Sequence, residues 1–279
     1  MKELTIKTPA KINLGLNILS KREDGYHNLE TIFYPINLFD ELTIKGYQKY
    51  ELITNNTQLN TEHNSTITKA RELISEYAGI EINAMVTLDK RIPIGAGMGG
   101  GSSDGAAALI LFNKYYDLKL SNEILYSLAL KIGSDVPFFI EPKPMFGSSK
   151  GEVLETIGLI LDRPILIVNP GIHISTSWAF SKIVPRIPET HLNQINLPGG
   201  NIFSVFRESI INDFEVVIFE SYPEIKEIKN KMYRLGAEFS LMTGSGSTVF
   251  GIFPDEISVL KASKEFPANY FIFIDRLVK

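Results

Sequence analysis

The stretch Pro93-Ile-Gly-Ala-Gly-Met-Gly-Gly-Gly-Ser-Ser-Asp104 places five glycines and two serines between a segment that predicts a strand and one that predicts a helix. A backbone without Cβ atoms can approach an anion closely, and its N–H groups can converge on phosphate oxygens. The positive end of the following helix dipole adds attraction. The pattern therefore predicts a nucleotide polyphosphate held by Pro93, Ile94, Gly95, Ala96, Gly97, Met98, Gly99, Gly100, Gly101, Ser102 and Ser103. The two serine hydroxyls suit either a phosphate oxygen or a magnesium ion. A P-loop is excluded, because Ser102 stands where that motif needs a lysine. The dinucleotide spacing G-x-G-x-x-G is formally met by Gly95, Gly97 and Gly100. Its context is wrong, since Asp89-Lys90-Arg91 and Pro93 separate the strand from the loop and no second strand closes about 20 residues on. A nicotinamide oxidoreductase, a non-catalytic nucleotide-binding module and a plain structural turn stay as alternatives.

Composition narrows the setting. With 279 residues and 44% hydrophobic content the chain can bury one large or two modest cores. A net charge of −4 argues against a general nucleic-acid or membrane surface. The absence of cysteine removes disulfides, thiolate metal sites and a cysteine nucleophile. No export signal or bilayer-length apolar run is present, so a cytoplasmic enzyme with small-molecule partners is expected, and no protein partner is indicated.

Outward from the glycine loop, apolar alternation predicts strands at Glu3 to Ile6, Ile12 to Leu19, Ile32 to Ile36, Glu41 to Ile44 and Ile82 to Leu88. Helices are predicted at Thr66 to Tyr77 and Ser103 to about Tyr116. A third is capped by Ser121 and stopped by Gly133, with an apolar strand after Pro137. A boundary is expected near residues 157–163, dividing the chain into domains 1–158 and 159–279. The second half reads as a strand at Pro164 to Val168 and helices at Asn201 to Phe206, Asp213 to Phe219 and Tyr222 to Leu235. Strands follow at Glu238 to Met242, Thr248 to Phe253 and Tyr270 to Asp275. Pro185 to Gly200 reads as an irregular loop.

Other residues suit phosphoryl transfer, which needs the phosphates held and an acceptor hydroxyl placed in line. Asp135 follows a glycine stop, where it either orients and deprotonates that hydroxyl or simply caps a turn. Tyr26 offers a stacking face and His27 one donor and one acceptor, suited to a pyrimidine edge or to ordinary packing.

Three motifs in order, Pro9-Ala-Lys-Ile-Asn-Leu14, the glycine loop and Met242-Thr-Gly-Ser-Gly-Ser-Thr248, resemble the signatures of the GHMP small-molecule kinases. Arg22-Glu-Asp-Gly-Tyr-His27 and Gly133-Ser-Asp-Val-Pro137 resemble the branch that takes a cytidine diphosphate-linked polyol. Homoserine and mevalonate kinases of the same family are the nearest alternatives. The resemblance implies an α+β fold of two domains, the first like domain 2 of ribosomal protein S5 and the second ferredoxin-like. It implies ATP as co-substrate and Mg2+ as cofactor, with Lys11 and Asp135 catalytic. It further implies that Tyr26, His27, Phe180, Asn13 and Thr176 hold the acceptor, that Gly244, Ser245 and Gly246 floor its site, and that Lys90 and Asn64 lie at the adenosine end of the nucleotide. One stretch departs from the family pattern: Glu141-Pro-Lys-Pro144 stands where relatives often show a glycine pair.

Overall fold

The protein is described by a computed structural model covering residues 2–57, 59, 65–195, 207 and 209–276. Asn64 and the helix expected at Asn201 to Phe206 lie outside the described residues.

Two long strands, β1 (Glu3–Lys21) and β2 (His27–Gly46), form an antiparallel-type hairpin frame that replaces the four shorter strands expected from the sequence. Each strand runs on through the residues left between the expected segments, 7–11 in β1 and 37–40 in β2, and Pro9 and Pro35 lie inside these strands, as a proline can wherever no neighbour needs its missing N–H. The hairpin is closed at Arg22–Tyr26, where Arg22 N–H donates to the Tyr26 carbonyl and Gly25 takes φ +83°.

Contacts cluster the chain into two compact units. The first comprises residues 1–10, 38–94 and 99–142; the second comprises 11–37, 95–98 and 143–279. This partition interleaves along the chain and does not follow a single break at 158, because β1 and β2 each contribute a half to both units.

In the first unit, β4 (Ala84–Asp89) pairs antiparallel with the C-terminal half of β2 and parallel with β3 (Glu51–Thr54). Helix α1 (Thr66–Ala78) makes the crossover between β3 and β4. Ser65 caps it by accepting from Thr68 N–H, and Gly79 ends it at φ +64°. Helix α2 (Gly100–Tyr115) packs against α1, and it is buried along most of Ser103 to Leu109 by a run of small residues, Gly105-Ala-Ala-Ala108. Helix α3 (Asn122–Ile132) starts after Ser121 and ends at Gly133, as its sequence indicates. The strand expected after Pro137 is a 3-10 helix, Pro137–Ile140. Its Phe138, Phe139 and Ile140 are all buried, and a short buried apolar run does not reveal its own periodicity.

In the second unit, the N-terminal half of β2 pairs with β5 (Met145–Ser148), and β5 with β6 (Val153–Thr156). A separate antiparallel sheet runs in the order β10-β7-β9-β8, formed by β7 (Ile165–Asn169), β8 (Phe239–Met242), β9 (Val249–Ile252) and β10 (Phe271–Asp275). Its apolar cluster includes Leu166, Val168, Ile225, Ile228, Met232, Val249 and Val259. The helices of this unit are α4 (Thr176–Lys182), α5 (Phe214–Ser221), α6 (Pro223–Arg234) and α7 (Glu256–Ser263). Of these, α4 and α7 were not expected, although both carry readable caps: Ser175 accepts from Trp178 N–H and Asp255 from Ser258 N–H. Among the described residues no helix is long and apolar enough to cross a membrane.

Candidate active site

The three sequence motifs meet in the second unit through one hydrogen-bonded network. Lys11 Nζ donates to Asn13 Oδ1 (2.6 Å) and to the Gly97 carbonyl (3.0 Å). Thr243 Oγ1 donates to Asn13 Oδ1 (3.1 Å) and accepts from Asn13 N–H (3.0 Å), so the first and third motifs are joined directly. Lys11 N–H also donates to the Met98 carbonyl (3.0 Å), and Thr248 N–H donates to the Ala96 carbonyl (3.4 Å).

Lys11 is buried, and a buried amine needs acceptors for its N–H groups; Asn13 Oδ1 and the Gly97 carbonyl supply two. Phe33 lies 5.6 Å from the same ammonium, in cation–π range. Asn13, expected as an acceptor contact, is 1% exposed; its Oδ1 accepts from Lys11 and its Nδ2 donates to Thr31 Oγ1 (2.8 Å). Its place is that of a residue that orients Lys11.

The glycines of the loop serve different ends. Gly95, Gly97 and Gly99 have φ of +64°, +77° and +71°. A Cβ on Gly97 would lie 2.2 Å from the Thr243 carbonyl oxygen, and one on Gly100 would lie 2.9 Å from Ile92 Cγ2 and Lys90 Nζ. These positions require glycine for the protein's own packing. Gly101 differs, since its Cβ would meet nothing within 4 Å and its conformation is helical.

Of the two serines, Ser103 is fully buried; its hydroxyl donates to the Pro9 carbonyl (2.6 Å) and also contacts Thr8 Oγ1. It therefore fastens β1 to α2, leaving Ser102 as the half-buried hydroxyl of the loop.

Lys90, expected near the adenosine, has its ammonium buried between two carboxylates. It donates to Asp104 Oδ2 (2.8 Å) and to Asp40 Oδ2. Asp40 Oδ1 also accepts from Arg91 N–H (2.6 Å) and Ile92 N–H (2.8 Å). The Lys90–Asp104 pair thus closes the chain across the base of the glycine loop. Only the backbone of Lys90 is left to serve a ligand.

One cation between two buried carboxylates leaves a surplus negative charge, and burial accordingly pushes the Asp104 carboxyl up to about 7, against the pull of Lys90. A carboxyl raised in the folded state stabilises the fold below its unfolded value of about 4 and loses that contribution as pH rises through 7. Asp104→Asn is expected to flatten this dependence. The melting temperature of the wild type relative to the variant should fall between pH 4 and 8, and parallel melting curves would contradict it.

Asp135 is half-buried in the turn between α3 and the 3-10 helix, where Val136 N–H donates to the Gly133 carbonyl (3.2 Å). On the hairpin turn of the second unit, Tyr26 is 56% exposed, with the Lys150 ammonium 4.8 Å from its ring. His27 is buried and stacks on Phe180 at 5.1 Å and 22°. Phe180 therefore faces His27 instead of an open slot, and its edge contact is to Phe214. Burial, aided by the charge of Lys21, lowers the His27 pKa, so the ring is neutral at pH 7 and presents one donor and one acceptor. Thr176 Oγ1 lies 3.1 Å from Ser245 Oγ, bringing the first turn of α4 to the Gly244-Ser245-Gly246 turn.

Several participants were not foreseen. Asn212 Nδ2 donates to the Met242 (2.7 Å) and Gly244 (2.8 Å) carbonyls, and Asn169 Nδ2 to Ser247 Oγ (3.1 Å) and Thr248 Oγ1 (2.9 Å). Together they fix the third motif from both sides. The available signal was an asparagine closing an apolar strand, Ile165-Leu-Ile-Val-Asn169, where the residue type is poorly suited to the strand itself.

The chain belongs to the GHMP kinase family. It matches the family descriptions "GHMP kinases N terminal domain" over residues 65–142 and "GHMP kinases C terminal" over residues 200–271. A 4-diphosphocytidyl-2-C-methyl-D-erythritol kinase of Chlorobium phaeobacteroides is 38% identical over 275 residues, covering 97% of this chain and 96% of the relative. A solved 4-(cytidine 5'-diphospho)-2C-methyl-D-erythritol kinase is 31% identical with a TM-score of 0.83, covering 97% of this chain and 98% of its own. A homoserine kinase from Cytophaga hutchinsonii shares the fold at a TM-score of 0.77 and 15% identity, covering 99% of this chain and 95% of its own. The two-domain α+β fold implied by the motifs is the fold of this chain.

Proposed function

We infer that the protein is an ATP-dependent small-molecule kinase that transfers the γ-phosphoryl group to the 2-hydroxyl of 4-diphosphocytidyl-2-C-methyl-D-erythritol, in the non-mevalonate route to isoprenoid precursors. The near full-length relatives of that name support the acceptor. The observation that carries the chemistry is the Lys11–Asn13–Gly97–Thr243 network, which aims a buried ammonium at the glycine loop.

Amides of the loop between Pro93 and Ser102, with the N-terminus of α2, hold the triphosphate. Lys11, oriented by Asn13, supplies positive charge to the transferring group. Asp135 orients the acceptor hydroxyl and takes its proton. Among the described residues no cluster of three or more His, Asp or Glu could cage a cation. This fits magnesium held mostly by phosphate oxygens and water, with Ser102 the available loop hydroxyl. When bound, the ion offsets charge on the β- and γ-phosphate oxygens. The backbone around Lys90 completes the adenosine end. A cytoplasmic setting accords with such a substrate.

The open face of Tyr26 stacks the cytosine, His27 reads its edge, and Thr176 with Gly244, Ser245 and Gly246 lies along the rest of the acceptor. Because Tyr26 is largely exposed, its removal costs the fold little. A lost base–aromatic stack is worth about 1–3 kcal/mol, so Tyr26→Ala should raise the acceptor KM roughly 5- to 150-fold with ATP KM unchanged. Steady-state kinetics varying each substrate check this, and an unchanged acceptor KM would remove Tyr26 from recognition. The activity is tested by offering γ-labelled ATP with the cytidine diphosphate-linked polyol, homoserine or mevalonate. Label should pass to the first; transfer only to another alcohol would reassign the acceptor.

A further inference from the structure

Position 95 holds the glycine loop against a side chain that none of the motifs contains. A Cβ built on Gly95 would lie 2.5 Å from His173 Nδ1 and 2.8 Å from Cε1, so the imidazole edge rests directly on the Gly95 Cα. Together with its φ of +64°, this makes glycine obligatory there.

The backbone carrying His173 is fastened on both sides. Gly171 N–H donates to Asn169 Oδ1 (2.8 Å), Ser247 Oγ donates to the Ile172 carbonyl (2.6 Å), and Ile174 is buried. The His173 side chain itself is exposed, and no described residue hydrogen-bonds to either ring nitrogen. An imidazole held by an anchored backbone against the first glycine of an anion-binding loop, with no described residue bonded to its nitrogens, is placed to donate to the anion.

We propose that His173 is a further nucleotide-binding residue, its ring N–H donating to the triphosphate held by the glycine loop. The proposal rests on the reading of that loop as the triphosphate site. Its chemistry is that of a neutral or charged N–H donor to a phosphate oxygen, a contact that cannot be supplied by an apolar side chain of similar volume.

The test uses the full-length protein. His173→Leu should raise the ATP KM about tenfold, the usual scale for one hydrogen bond to a charged group, with kcat and acceptor KM changed less than about twofold. His173→Gln keeps an N–H donor and should recover most of the loss. The chain has four histidines, so the His173 ring signals in a nitrogen-15 spectrum are identified by their loss in His173→Gln. They should shift when a β,γ-imido analogue of ATP is added and stay put with cytidine diphosphate. A wild-type ATP KM in His173→Leu, or ring signals unmoved at saturating analogue, would overturn the proposal. Gly101→Ala, run in parallel, separates the two levels. If it weakens nucleotide binding while His173 is silent, only the histidine falls; if neither substitution affects nucleotide binding, the loop assignment falls with it.

Discussion

Asp135→Asn is expected to lower kcat by about 10²- to 10⁴-fold while leaving ATP affinity close to wild type, the range that general acid–base contributions usually span. The replacement keeps the size and most of the hydrogen-bonding shape of the side chain, but it cannot accept the hydroxyl proton. Asp135 is half-buried in a turn that carries the backbone bonds Val136 to Gly133 and Phe139 to Val136. The isosteric amide should keep that turn, and circular dichroism with a thermal melt would verify it. Single-turnover transfer from γ-labelled ATP, paired with nucleotide binding at equilibrium, separates the chemical step from affinity. Turnover at the wild-type rate would remove Asp135 from the mechanism and leave it as a turn aspartate.

Gly101→Ala is the second large effect, and its value is that stability and binding should move in opposite directions. An alanine replacing glycine in the first turn of α2 gains up to about 1 kcal/mol of helix propensity, and its methyl group meets no protein atom within 4 Å. On the proposed reading of the loop as the triphosphate site, the same methyl group would intrude on the approach of a phosphate. Loss of one close amide–phosphate contact costs about 1.5–3 kcal/mol, or roughly 10- to 100-fold in ATP affinity. A raised or unchanged melting temperature with weakened ATP binding is the expected result. Full affinity in a stable variant would mean that the glycine there serves neither packing nor phosphate. Gly97 makes the useful contrast, because a Cβ 2.2 Å from the Thr243 carbonyl oxygen would disturb the fold itself, whatever the ligand.

Elements whose signals are local were legible from the sequence. The Ser65 and Gly79 caps bound α1, Gly133 ends α3, and the alternation at Ile82 to Leu88 marks β4 nearly to the residue. What failed was connectivity and polarity that only tertiary contacts decide. Residues 7–11 and 37–40 fell between the expected strands because local alternation does not show where a strand continues past an interruption in its pattern, yet β1 and β2 run through both. The apolar Pro137–Ile140 run is a 3-10 turn, since four buried residues carry no period. The site shows the same divide. Glycines, Lys11 and Asp135 stood out by residue type and motif, whereas the partners of Lys11 and Lys90 are 2 to 86 residues away along the chain and carry no shared pattern. Ser103 and Asn13 were expected to face ligand. Both turn inward, because a hydroxyl or amide beside a glycine loop is also well suited to fastening that loop in place.

Phosphoryl transfer by this chain depends, on the reading proposed above, on main-chain amides from Gly95 to Ser102 wrapping the triphosphate of ATP. A crystal structure with a β,γ-imido analogue of ATP tests it most directly. Phosphate oxygens should lie within about 3 Å of several of those amide nitrogens, the spacing of charge-assisted hydrogen bonds. An analogue bound elsewhere, with its phosphates making no contact to residues 95–102, would contradict it.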